Sequence, residues 1–227
     1  MKDCFRITAR AAAWLRRVTL QARGFKPVVF AACLVPLGML VWRALTVQLG
    51  ANPEQTLIWT TGLWALRFLL ITLAITPLRG VTGWTELARL RRMLGLFAFA
   101  YALLHFTCYF GLVNGFSVDA VAKDVVKHPF VLAGMTALTL MLPLAATSTN
   151  GMIKRLGAAR WKALHKLVYV VGVVAVFHYW WGKLAKNNTA DPKIYAAVLA
   201  ALLGWRLLRT WQGWRRQGQR QPADARA

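Results

Sequence analysis

Residues 93–113 read MLGLFAFAYALLHFTCYFGLV and contain no Asp, Glu, Lys or Arg. An α-helix rises about 1.5 Å per residue, so a stretch of this length covers the roughly 30 Å hydrocarbon core of a bilayer. An apolar run in a buried helix of a soluble protein is usually shorter. The segment therefore predicts a membrane-spanning helix, and it carries one histidine, His105, inside its apolar run.

Five other segments have the same apolar character. The six predicted spans are residues 27–42, 57–78, 93–113, 130–147, 164–181 and 194–208. The composition agrees with them, because 58% of the residues are hydrophobic and only 16% are charged, whereas about a quarter of the residues of a soluble domain are charged. We predict an all-α integral membrane bundle of six helices over residues 27–211. A basic tail, residues 1–26, precedes it, and a basic, disordered tail, residues 212–227, follows it.

The positive charge is distributed unevenly between the two ends of these spans. The formal net charge is +22, which in a soluble protein would suggest nucleic-acid binding. Here the basic residues flank apolar spans instead: 22 of the 29 Lys and Arg lie in the N-terminal tail, in 79–92, in 154–166 and from 206 onward. By the positive-inside rule both termini are cytoplasmic. We expect a multi-pass protein of a bacterial inner membrane that binds no nucleic acid.

The three cysteines, Cys4, Cys33 and Cys108, are far apart and form no C-x-x-C pair. This spacing supports neither a disulfide framework, nor a zinc site, nor the C-x-x-C-H motif of covalently attached haem.

Two histidines lie at similar depth in different spans. His105 follows Arg92 by thirteen residues and His178 follows Lys166 by twelve, which places both roughly 18–20 Å from the basic side. Two neutral imidazoles at one level suit the axial ligation of a haem iron. Histidines hydrogen-bonded to other helices, or a site that transports a transition metal, are the alternatives. All seven acidic residues lie outside the spans, which disfavours a cation pathway.

Three other polar residues are candidates for a role in or beside the membrane. His165 precedes His178 by thirteen residues, about 20 Å along a helix, so the two cannot share one iron. It is a ligand of a second, inner haem, a flavin contact, or a histidine at the membrane interface. Arg67 lies inside the second span and needs an anionic partner, such as a haem propionate or a quinone, unless it extends to the interface. His128 begins the fourth span and is expected to be solvated.

Four segments carry a family resemblance. They are ITPLRG (75–80), RRMLGLFAFAYALLHFTCY (91–109), LAATSTNGMIKRLGAARWKALHKLVYV (144–170) and FHYWW (177–181). They resemble the MsrQ (YedZ) family, the haem-binding membrane subunits of periplasmic methionine sulfoxide reductase systems. The resemblance implies a ferric reductase-like bundle that binds b-type haem, one or two per chain, and FMN. The histidines that match the family's ligand motifs are His105, His165 and His178.

The resemblance also implies partners. Electrons would come from the quinone pool or a cytosolic flavin reductase and pass to a periplasmic molybdopterin enzyme, MsrP, which repairs oxidised methionines. The chain itself would perform no chemistry on a substrate. The alternative within the same chemistry is the cytochrome b subunit of another oxidoreductase. One departure stands out: in the wider group of ferric reductases and NADPH oxidases the inner ligand on the third helix would fall near Arg91, where this chain has arginine.

Overall fold

The computed structural model describes residues 25–184 and 190–218, and every regular element within these ranges is helical. Its α-helices are α1 (Phe25–Leu45), α2 (Pro53–Thr82), α3 (Leu90–Cys108), α4 (Val118–Lys127), α5 (Pro129–Ala146), α6 (Asn150–Leu156), α7 (Ala158–Leu164), α8 (Leu167–Leu184) and α9 (Ala190–Gly218). Six segments of this part are long and apolar enough to cross a membrane. The predicted six-span helical bundle is confirmed.

The helix ends follow local stop and start signals. The helix α2 is longer than the predicted span 57–78 because Pro53 occupies its first turn, where a missing N–H costs nothing. It ends at Gly83, whose left-handed φ of 70° lets its N–H donate to the Arg79 carbonyl. At the other end of the chain, α9 is helical to Gly218. It therefore includes the first residues of the segment from Gln212 for which we expected a disordered tail.

The helix α2 forms the centre of the bundle. It pairs along its length with α3, while α5 pairs with α8, and α9 packs against both α2 and α8. The main core joins Phe68 and Leu69 of α2 to Leu94 and Ala98 of α3, and it reaches Val171 of α8. The bundle is thus built from two tight helix pairs, α2–α3 and α5–α8, and the space between α3 and α8 is where a site can form.

The first helix, α1, is tied to the bundle at its proline. Pro36 lies inside this helix, and the side chain of Tyr101 reaches the same turn from α3. Its hydroxyl donates to the Cys33 carbonyl (2.9 Å) and accepts from the Leu37 N–H (3.0 Å). These two backbone groups are four residues apart and would bond each other in an unbroken helix. The tyrosine therefore takes the place of one helical hydrogen bond and attaches α1 to α3.

Between α3 and α5 the chain forms a short structure that the sequence did not lead us to expect. The helix α3 continues into a π-helical turn, Tyr109–Val113, and the ten-residue α4 follows after a sharp bend. The Ser117 hydroxyl caps α4 by accepting from the Ala120 N–H. Val121 of α4 is buried, whereas Val118 and Val126 are exposed. This amphipathic segment covers one end of the bundle.

The fifth span is interrupted near its start. Where one helix was predicted over 164–181, α7 ends at Leu164 and α8 begins at Leu167, with His165 and Lys166 in a turn between them. Residues 1–24, 185–189 and 219–227 lie outside the described ranges, and with them most of the predicted N-terminal tail, Cys4 and the rest of the C-terminal tail.

Candidate functional site

The imidazoles of His105 on α3 and His178 on α8 meet between the two helix pairs. Their ring centroids are 6.1 Å apart and the ring planes are inclined at 75°. The structure thus brings together the two histidines that the sequence placed at equal depth.

Each ring is fixed by a backbone carbonyl of the helix paired with its own. His105 Nδ1 lies 2.8 Å from the Ile58 carbonyl of α2, and His178 Nδ1 lies 2.6 Å from the Phe130 carbonyl of α5. A carbonyl oxygen can only accept, so each Nδ1 carries the hydrogen and donates it. In the neutral ring this leaves the lone pair on Nε2, which is the form that binds a metal.

A glycine makes room for each ring. A β-carbon at Gly62 would stand 2.8 Å from His105 Nδ1, and one at Gly134 would stand 2.8 Å from His178 Cε1. Both glycines follow the accepting carbonyl by four residues, one helical turn. The same device, a carbonyl acceptor and a glycine one turn later, therefore holds His105 in the α2–α3 pair and His178 in the α5–α8 pair.

The arrangement fits a haem iron held between the two rings. Metal–imidazole bonds of about 2 Å on opposite sides of one ion would separate the ring centroids by roughly 6 Å, close to the 6.1 Å found here. Within residues 25–184 and 190–218 no three His, Cys, Asp or Glu side chains come together as a larger ligand cluster. A haem iron needs only two protein ligands because the porphyrin supplies the other four.

His165 lies apart from this pair, in the turn between α7 and α8. Its ring stacks on Trp161 with centroids 3.9 Å apart, and its Nδ1 lies 3.1 Å from the Trp161 carbonyl. The Trp161 indole in turn donates to the Thr147 carbonyl at the end of α5. In the described part of the chain His165 Nε2 is buried and makes no hydrogen bond of ordinary geometry, although the Leu144 backbone also lies close to the ring. A buried nitrogen in this state is suited to a ligand, and the role predicted for His165 stays a prediction.

Arg67 finds neutral partners within the bundle. Its Nε donates to the Tyr195 hydroxyl of α9 at 3.0 Å, and its guanidinium lies over the Trp64 ring, 4.8 Å from the centroid. Among the described residues no carboxylate forms an ion pair with it. Its predicted contact with a propionate or quinone stays a prediction.

His128 lies at the start of α5 with its side chain half exposed, as expected of a solvated residue. Its Nδ1 is 2.8 Å from Asp124 Oδ1, and the Tyr109 hydroxyl donates to the other oxygen of the same carboxylate. The hydrogen bond from Tyr109, followed by the contact with His128, holds the pKa of Asp124 below its ordinary value, against the opposing effect of partial burial. The trio fastens α4 to the end of α3.

Sequence reasoning did not identify four residues that contact the histidine rings, namely Ile58, Gly62, Phe130 and Gly134. A signal existed, since each glycine stands inside an apolar span where glycine weakens a helix by up to about 1 kcal/mol relative to alanine. What the sequence alone could not supply was the helix pairing that brings each glycine to a histidine.

A family model described as the ferric reductase like transmembrane component matches residues 61–176. The match includes Gly62, His105, Gly134 and His165 and ends two residues before His178. No solved structure shows significant similarity to the chain.

Several curated relatives align over most of the chain, and those from three organisms are typical. Each is a protein-methionine-sulfoxide reductase heme-binding subunit MsrQ. The one from Herminiimonas arsenicoxydans is 51% identical and the alignment covers 82% of this chain and 86% of the relative. The one from Polaromonas naphthalenivorans is 47% identical, with 91% and 95% covered. The one from Ralstonia nicotianae is 48% identical, with 89% and 91% covered.

Proposed function

This chain belongs to the MsrQ family of ferric reductase-like membrane proteins, and from that membership we propose that it carries electrons across a membrane to a methionine sulfoxide reductase. The relatives are named as heme-binding subunits, and the six spans of this chain provide the matching architecture. The cofactor, the donor, the acceptor and the ligands given below are parts of the same proposal.

The observation that carries the proposal is the His105–His178 pair. Two imidazoles from separate helix pairs converge at 6.1 Å, each with Nδ1 bound to a carbonyl and Nε2 left to coordinate. A pair of histidines that served only to join helices has no need to aim a free ring nitrogen at its counterpart, whereas each Nε2 here keeps its lone pair. Within the described residues neither Nε2 makes a hydrogen bond. We assign His105 and His178 as the residues that would hold a b-type haem.

A b-type haem bound there would supply a one-electron redox centre within the hydrocarbon region. The protein's part is to fix the two rings. The carbonyls of Ile58 and Phe130 select the tautomer, and Gly62 and Gly134 let each ring lie against a helix backbone. With His105 and His178 as its two protein ligands, such a haem would supply electron transfer, and the chain itself would perform no substrate chemistry.

We assign the direction of transfer from the charge pattern. Electrons from the quinone pool or a cytosolic flavin reductase enter at the basic, cytoplasmic side of a bacterial inner membrane. They leave at the opposite face to a periplasmic molybdopterin-containing reductase of the MsrP type, which repairs oxidised proteins. The unpartnered Nε2 of His165 supports a second cofactor contact, to an inner haem or to FMN, nearer the cytoplasm.

The haem assignment is tested with His105→Ala and His178→Ala, purified in detergent. Either change removes one axial ligand, so we expect loss of the reduced-minus-oxidised b-type spectrum at unchanged monodispersity. His128→Ala is the matched control, because that side chain is half exposed and contacts Asp124. A double variant with the full Soret and α-bands of the parent would show that the ligands lie elsewhere.

The transfer direction needs a separate measurement. Haem and flavin are quantified per chain, and the protein is placed in vesicles with a donor on one side only. Reduction by a quinol or by a flavin reductase, followed by reoxidation when an MsrP-type reductase and methionine sulfoxide are added on the far side, is the expected result. Reduction that no such reductase reverses would refute the proposed acceptor.

A further inference from the structure

Two arginines meet at one hydroxyl at the end of the bundle opposite the histidine pair. Arg91 Nη2 of α3 donates to Thr76 Oγ1 at 2.7 Å, and Arg206 Nη2 of α9 donates to the same oxygen at 2.8 Å. Arg91 precedes His105 by fourteen residues, about 21 Å along the helix. This cluster therefore belongs to another region of the protein than the histidine pair.

The cluster contains positive charge without a compensating carboxylate. The ion pairs in the described ranges are Lys123–Asp119 and His128–Asp124, and neither involves these arginines. Arg79 adds a further positive charge near Arg91. Guanidinium groups repel each other, and an anion shared between the two would offset that repulsion.

The neutral groups of the cluster are also free to donate. Since the Thr76 hydroxyl accepts from both guanidiniums, its own hydrogen points away from them. Arg206 Nη1 donates to the Tyr169 hydroxyl of α8, which leaves that hydrogen available as well. Arg206 Nε is buried and, within the described residues, has no hydrogen-bond partner. The cluster thus brings together two guanidinium groups and two hydroxyl groups with hydrogens left to donate.

We propose that Arg91, Arg206 and Thr76, with the Tyr169 hydroxyl, form a phosphate-binding site. A tetrahedral phosphate accepts several charge-assisted hydrogen bonds at once, and arginine matches its oxygens in pairs. The cluster lies near the last turn of α2, which contains Arg79, and near the start of α3. This level is the boundary of the hydrocarbon region. Basic pockets between helices at that level bind lipid head groups. Arg91 is exposed, so the site is open on that side.

Two sources can supply this phosphate. One is the phosphodiester of a membrane lipid, and the other is the phosphomonoester of FMN, which depends on the proposed function. The probes are therefore phosphatidylglycerol, counted by native mass spectrometry of the purified protein, and FMN, released by acid and measured by fluorescence per chain.

The variants are Arg91→Gln, Arg206→Gln and the two combined. The control is Arg209→Gln on the same helix, whose guanidinium lies over the Trp205 ring. We expect the combined variant to lose one of the two probes by at least about tenfold, since two charge-assisted hydrogen bonds are removed. Loss of lipid identifies the first source and loss of FMN the second. Unchanged retention of both probes would overturn the site.

Two further arms keep the test decisive. If Arg206→Gln does not fold, the exposed Arg91→Gln alone should lower retention, and Arg206→Lys should restore binding in part because lysine also binds phosphate. Retention in Arg91→Gln equal to that in the parent counts against the site. The haem spectrum of the parent is a separate readout: a parent without haem that still binds phosphate refutes the electron-transfer proposal and leaves this site standing.

Discussion

The imidazole of His105 lies directly against the backbone of Gly62, so closely that a β-carbon on this residue would stand 2.8 Å from Nδ1. Real β-carbons do not approach that closely, so any side chain at Gly62 must displace the ring. The contact therefore makes a residue of α2 control the position of the His105 ring on α3.

Gly62→Ala and Gly134→Ala are expected to weaken haem binding without removing a ligand. Each added methyl group shifts a histidine from its carbonyl, and loss of such a supporting contact typically lowers metal affinity roughly 10–100-fold. The measurement is haem retention against an excess of a haem-scavenging apoprotein. Gly38→Ala and Gly204→Ala are matched controls, since a β-carbon at either position meets nothing within 4 Å. Equal retention in all four variants would mean that the rings tolerate displacement.

His165→Ala is expected to lower the content of FMN or of a second haem while sparing the haem of the His105–His178 pair. The reason is that His165 lies in a separate turn, stacked on Trp161 with its Nε2 unpartnered. Haem and flavin are counted per chain, with Lys166→Ala, an exposed neighbour, as the control. Loss of all haem from a folded His165→Ala protein would contradict this division of roles.

Tyr101→Phe is expected to destabilise the bundle by about 1–3 kcal/mol, because it leaves the Cys33 carbonyl and the Leu37 N–H of α1 without their partner. The free energy of unfolding is measured in mixed micelles. In a Pro36→Ala background α1 can form its own hydrogen bond, so the loss caused by Tyr101→Phe should shrink. Additive effects of the two changes would show that the tyrosine does not replace the helical bond.

The attachment of α4 is expected to weaken in acid. The pKa of Asp124 is lowered in the folded protein, chiefly by the hydrogen bond from Tyr109, so the folded state favours the carboxylate. Its stabilising contribution is complete above the ordinary aspartate pKa of about 4 and is lost as the pH falls through the lowered value.

Hydrogen exchange over residues 109–128 measures this effect. Protection in the parent should fall below about pH 4, and Asp124→Asn should be less protected at neutral pH with no such fall. Asp119→Asn is the control on the same helix, because that carboxylate is 74% exposed and pairs with Lys123. An acid transition that persists in Asp124→Asn would assign the effect to another group.

The sequence predicted the six spans and the matched depth of His105 and His178 because both depend on distance along a single helix. Apolar length fixes a span, and counting residues from Arg92 or Lys166 fixes depth. The contacts of the site depend instead on which helices pair. No local pattern states that α2 lies along α3, so the parts played by Ile58 and Gly62 became visible only in the structure.

Two local features were missed for other reasons. The helix α4 has only ten residues, too few for a window sized to a membrane span, although Val118, Val121 and Val125 are three and four residues apart, as on the apolar face of a surface helix. The turn at His165 separates a basic segment, which precedes it, from an apolar segment, which follows it. This pattern predicts the end of a membrane span and not a break within a helix. Arg91 stands near the position of the inner ligand in the wider group of ferric reductases. That comparison likewise did not predict its contact with Thr76.

The two carbonyl–glycine devices bear on the order in which the protein is made. The first, in α2–α3, is complete once residue 108 has entered the membrane. The second must await α8, because His178 is synthesised seventy-three residues after His105. Each histidine is oriented within its own helix pair, so neither depends on the other for its rotamer. A cofactor held between the two rings would therefore join two helix pairs, each of which already orients one imidazole.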